Sequence, residues 1–97
     1  MSREDQLRHD IVEVGRRLYQ RGYVASNDGN VSVRLGDDRI LATPTGVSKG
    51  FMTPDMMVVT DMAGTKVSGA RHASSELKMH LAVYRLRPDV QAVVDAP

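Results

Sequence analysis

Three short stretches of this chain carry residues able to hold a small anion, and a fourth position beside one of them can move a proton. In "NDGN", Gly29 lets backbone amides approach a ligand and Asn30 brings a side-chain amide donor. In "TPTG", the Thr45 hydroxyl adjoins the Gly46 amide. In "SSE", Ser74 and Ser75 place two hydroxyls at the start of an expected helix, where free amides and partial positive charge favour a phosphate. Glu76 follows directly. The helix dipole stabilises a carboxylate there in any case. Beside an anion site, the same group is placed to act as a general acid or base. Taken singly, an Asn-Gly pair is an ordinary turn and Ser-Ser-Glu an ordinary cap. Their succession along one short chain carries more weight than any one of them.

The histidines say less. His80 stands four residues after Glu76 and shares its helix face. A metal pair at that spacing needs further ligands, so packing or hydrogen bonding is the simpler role for His80. His9 and His72 are expected on the surface, and the six methionines as core filler.

The elements that must position these groups follow from periodicity. Residues 2–22 read as a helix, with Ser2 as cap, Leu7, Ile11, Val14 and Leu18 at helical spacing, and Gly22 as its stop. A turn cluster at 25–30 leads to an alternating, half-buried strand at 31–35, and a tight "GDD" connection leads to a second strand at 39–44. Residues 45–51 form a glycine-punctuated loop, and 53–57 a single helical turn. Strands at 57–62 and 66–69 suggest another hairpin. Ser74 or Ser75 caps a final helix reaching about Arg87, with Leu77, Leu81 and Tyr84 on one face; Pro88 ends it, and 90–94 is a short apolar strand. No repeat, linker or low-complexity tract interrupts this single α/β unit.

Composition bounds the function. Ninety-seven residues with 41% hydrophobic content suit one small domain with a modest core. Thirteen basic and twelve acidic side chains leave a formal charge of +1, which gives no support to bulk attraction to nucleic acid or an anionic membrane. The absence of cysteine removes disulfides, thiolate metal sites and a cysteine nucleophile. The charged start lacks a signal peptide's apolar core, and no apolar run approaches the ~20 residues of a membrane span, so a soluble, cytoplasmic protein is the default expectation.

In order, "SNDGNVSVR", "ATPTGVSKG", "MTPDMMVVTDMAGTKVSG" and "ASSELKMHLAVYRLRPDVQAVV" resemble the class II aldolase/adducin family, which includes fuculose-phosphate aldolase and ribulose-phosphate epimerase. The likeness runs from the first helix to Val94 and covers the N-terminal half of that family's domain, so residues 1–97 are expected to be the first part of one such domain. The resemblance implies a mainly antiparallel sheet flanked by helices, apparently truncated here. It implies that Gly29, Asn30, Thr45, Gly46, Ser74 and Ser75 hold a substrate phosphate and that Glu76 is the acid/base at the carbon next to a carbonyl. The parent activity is a metal-dependent, reversible aldol cleavage of a small sugar phosphate or related acidic sugar derivative, in a homotetramer with sites at subunit interfaces.

Two departures matter. Asp28 replaces the small hydroxyl residue usual before the first loop's glycine, and a carboxylate repels a nearby phosphate. In the family, the strand matching "AVV" leads into His-x-His, two of three histidines that hold a divalent metal, usually zinc. Here Asp95 and Pro97 stand in those places, so no intact metal set is expected and the chain alone is expected to be inactive. A non-catalytic binding or oligomerisation module like the adducin head is the alternative, and a prematurely ended reading frame without function is a third.

Overall fold

The computed structural model describes residues 2–24 and 29–95. Helix α1 (Arg3–Gln20) is followed by strands β1 (Asn30–Gly36) and β2 (Arg39–Ala42), a 3-10 turn (Pro54–Met56), and strands β3 (Val58–Thr60) and β4 (Lys66–Ser68). Helix α2 (Leu77–Leu86) and strand β5 (Ala92–Asp95) complete the described chain. The strands form one antiparallel sheet in the order β4-β3-β2-β1-β5. The expected sheet flanked by helices is present.

The first helix forms for local reasons. The Ser2 hydroxyl accepts the Asp5 amide, and two acids follow in the first turn, where the dipole favours them. At the other end Gly22 takes φ +75°, with Gly22 N–H donating to Tyr19 and Tyr23 N–H to Leu18. That is the paired closure glycine permits just past a helix.

The sheet separates two cores by its period of two. Val31, Leu41 and Val59 pack with Ile11, Met52 and Met57 on the α1 side. Ile40 and Ala42 pack with Leu77, Leu81 and Tyr84 on the α2 side. Consequently β1, expected as half-buried at 31–35, is half-buried only over 33–35 and buried at its start, 30–32. Its polar alternate positions face α2: Ser32 is fully buried, and Asn30 is 8% exposed.

Other boundaries shift for identifiable reasons. β2 ends at Ala42 rather than residue 44: the Thr43 amide donates to Val31 while its hydroxyl accepts the Val31 amide, and Pro44 bridges to Ala73. β3 is confined to 58–60 and β4 to 66–68, because the Asp61 carboxylate gathers the Ala63 and Thr65 amides into the intervening turn. α2 starts at Leu77, since a tight turn precedes it: Leu77 N–H donates to Ser74 and Lys78 N–H to Ser75. The Ser74 hydroxyl accepts the Glu76 amide, so Ser74 caps that turn and Glu76 sits at the helix boundary. β5 begins at Ala92, because the Val90 amide is turned back to Arg87. Met79 lies on the outer side of α2 and is 52% exposed, unlike the buried Met52 and Met57.

Candidate anion and acid/base site

Glu76, His80 and Tyr84 recur every four residues through the start and length of α2, and Asn30, Ser32 and Arg34 alternate along β1. The two rows meet. Asn30 Nδ2 donates to Glu76 Oε2 at 2.9 Å. Ser32 Oγ lies 2.6 Å from His80 Nδ1 and 2.9 Å from the Tyr84 hydroxyl. Arg34 stacks its guanidinium 4.8 Å from the Tyr84 ring centre and donates to the Tyr84 and Val90 carbonyls. This polar register between strand and helix holds Glu76 at one end of the sheet. Burial pushes the Tyr84 phenol above its usual pKa of 10.0, opposed by the Ser32 hydrogen bond and the Arg34 charge.

The loops expected to hold an anion gather at the same end. Gly29 has φ +83°, and a β-carbon there would lie 2.6 Å from Val24 Cγ1 and 3.1 Å from the Asp95 carbonyl oxygen. No other residue fits without displacing one of them. Thr45 is exposed and joined by its amide to the His72 carbonyl at 2.9 Å, which ties the "TPTG" loop to the segment leading into Ser74. Gly46 (φ +77°) and Ser75 face solvent. Asn30 directly contacts Glu76, and Ser74 is bonded to the Glu76 backbone. The expected charge effect of Asp28 falls on a residue outside the described segments.

A cleft of about 300 Å³ reaches Ser74 and Ser75 from the β3–β4 side. Lys66, Lys78 and His72 line it, above an apolar floor that includes Leu77 and Leu81. Among the described residues no carboxylate lines this cleft, and the Asp61 carboxylate accepts backbone amides of its own loop. The basic rim was missed in the sequence because Lys66 and Lys78 sit on separate elements that only the tertiary fold brings together.

The donors at the end of β5 do not suit a metal. Asp95 Oδ2 lies 2.5 Å from His80 Nε2, and the other ring nitrogen faces Ser32. Both nitrogens of His80 are therefore engaged, in line with the hydrogen-bonding role expected for it. Among the described residues no group of three or more His, Cys, Asp or Glu side chains is placed to hold a metal ion. His9 and His72 are exposed, as their positions suggested.

An antiparallel sheet between two helices, with the Glu76 carboxylate held by Asn30 and its amide by Ser74, defines a small α/β domain. The chain belongs to the family described as the class II aldolase and adducin N-terminal domain, whose pattern matches residues 9–94. It is 43% identical over 84 residues to the 3-oxo-tetronate 4-phosphate decarboxylase of Haemophilus influenzae, covering 87% of this chain and 40% of that protein. It is 42% identical over 94 residues to the methylthioribulose-1-phosphate dehydratase of Pseudomonas syringae pv. tomato, covering 97% of this chain and 46% of that protein. The crystal structure of YgbL from Klebsiella pneumoniae superposes with a TM-score of 0.92 at 36% identity, over 99% of this chain and 46% of that one. The chain thus spans less than half the length of each. No helix among the described residues is long and apolar enough to cross a membrane.

Proposed function

We propose that this chain is the anion-binding, acid/base-bearing part of a lyase acting on a small sugar phosphate or a related acidic sugar derivative. Gly29, Asn30, Thr45, Gly46, Ser74 and Ser75 hold the phosphate, and Glu76 moves a proton at the carbon next to the carbonyl. The observation that supports this reading is the Asn30–Glu76 hydrogen bond, which holds the carboxylate against the loop of Gly29 and Asn30. The cationic rim of Lys66 and Lys78 favours an anion at the two serines. Relatives named as a decarboxylase and a dehydratase widen the chemistry beyond aldol cleavage. Loss of carbon dioxide from a 3-oxo acid, loss of water beside a carbonyl and reversible carbon–carbon cleavage share one demand. In the first and third the carbon next to the carbonyl gains a proton after its bond breaks, and in the second it loses one, so a single group that gives or takes a proton there serves all three.

The family activity depends on a divalent metal, zinc by resemblance, and the described residues provide no ligand set for it. Glu76 alone does not stabilise an enediolate. The chain by itself binds its ligand without turning it over, and in a working enzyme it acts within a homo-oligomer, a tetramer by resemblance. An adducin-like, non-catalytic binding module is the second reading, favoured by the engagement of Asp95 with His80.

Amide NMR during titration with inorganic phosphate tests the site. Shifts are expected at Gly29, Asn30, Thr45, Gly46, Ser74 and Ser75, and they should vanish in the Ser74→Ala/Ser75→Ala double variant. Shifts that persist in that variant would place the phosphate elsewhere. Conversion of a sugar phosphate by the 97-residue chain would refute its inactivity.

A further inference from the structure

The His80 side chain is fully buried, yet it is not an isolated polar group: it belongs to a network of four residues from three elements. Tyr84 and His80 come from α2, Ser32 from β1 and Asp95 from β5. Donors and acceptors can be assigned by accounting. If Nε2 carries the proton, it donates to the Asp95 carboxylate. Nδ1 then accepts from the Ser32 hydroxyl, and Ser32 accepts from the Tyr84 hydroxyl. Each donor has an acceptor. If the ring instead carried both protons, Nδ1 would donate to Ser32 and Ser32 to Tyr84. The buried phenol proton would then have no acceptor among the described residues. A buried hydroxyl without a partner is disfavoured.

We infer that His80 is fixed as the neutral Nε2–H tautomer, and that Asp95 is a positioning residue locked to it at the end of a directed chain from Tyr84 through Ser32. The place where the family would put a metal ligand is thus an anchor between β5 and α2. Its consequence reaches the anion loop. Asp95 is the register partner of Asn30, and its carbonyl oxygen lies against Gly29. Holding Asp95 fixes the wall on which Gly29 and Asn30 rest, and Asn30 in turn holds Glu76. The remaining charged groups at this interface are accounted for: Glu76 is bonded to Asn30, and Arg34 is bonded to backbone carbonyls. The tautomer and the anchor stand on hydrogen-bond geometry alone; only the consequence for phosphate rests on the function proposed above.

Long-range proton–nitrogen NMR of the ¹⁵N-histidine-labelled chain reads the tautomer directly. The expected His80 pattern is one protonated nitrogen at Nε2 and one unprotonated at Nδ1, unchanged by equimolar zinc. A doubly protonated ring, the Nδ1–H tautomer, or a zinc-induced shift at His80 would overturn the inference. Asp95→Asn keeps an acceptor oxygen and should preserve the pattern. Asp95→Ala should collapse it to averaged tautomers and speed amide exchange in β5 about tenfold. The spectrum of the unaltered chain decides the matter even if Asp95→Ala fails to fold. An intact pattern in a chain that binds no phosphate would refute the proposed function and leave the anchor standing.

Discussion

Asn30 directs its side-chain amide at the Glu76 carboxylate, 46 residues away, and that bond helps hold the group proposed as acid/base. Asn30→Ala should therefore weaken more than a surface contact. A hydrogen bond to an ionised partner contributes roughly 1.5–3 kcal/mol, so urea unfolding should show a loss toward the lower end of that range, because Glu76 keeps access to water. Tyr84 gives a second test, with a definite sign. Its phenol is raised above the ordinary value by burial, so its contribution to stability is complete below about pH 10 and is lost as pH rises through the higher folded value. Unfolding midpoints should fall on the alkaline side of pH 10, and more steeply than in Tyr84→Phe. Equal pH dependence in the two proteins would contradict this assignment. The candidate residues were legible from their types and order, but the partner of each was not. Nothing in "NVSVR" announces that its polar positions face a helix instead of water, because Glu76, His80 and Tyr84 lie about fifty residues downstream.

At the level of elements, α1 was legible almost to the residue because its signals are local: a serine cap, a helical period and a glycine stop. The boundaries of β2, α2 and β5 were not, because each is set by a turn or bridge whose partner comes from another segment. Two glycines show how closely the elements are fitted. A β-carbon on Gly15 would lie 2.6 Å from both the Lys49 carbonyl oxygen and Met52 Cε, where α1 approaches the loop after β2. Gly15→Ala gains up to about 1 kcal/mol of helix propensity, yet it should still lower the thermal midpoint because the backbone oxygen must move. Gly29→Ala combines a left-handed backbone with the contact to Val24 and should cost about 1–3 kcal/mol in urea unfolding. A stability unchanged in either variant would mean that the loops yield more easily than their packing indicates.

The whole molecule leaves two sheet edges of different character. β4 is exposed throughout and carries Lys66, a charge that discourages strand addition. β5 offers "AVVD", pairs only with β1 among the described residues, and leaves Val94 49% exposed. We expect the isolated chain to self-associate through β5, with sedimentation showing a dimer or larger species that Val94→Lys returns to monomer. A monomer with strongly protected β5 amides would show that this edge needs no cover. Metal analysis after dialysis against micromolar zinc should find no stoichiometric ion, since the β5 carboxylate is committed to His80. The acid/base proposed at Glu76 and the proposed anion loops are expected to form one site within these 97 residues. Titrating a ¹³C-glutamate-labelled chain with inorganic phosphate tests it most directly. The Glu76 carboxyl resonance should move with the Ser74 and Ser75 amides along a single binding curve; a Glu76 signal that stays still while those amides respond would separate the acid from the anion.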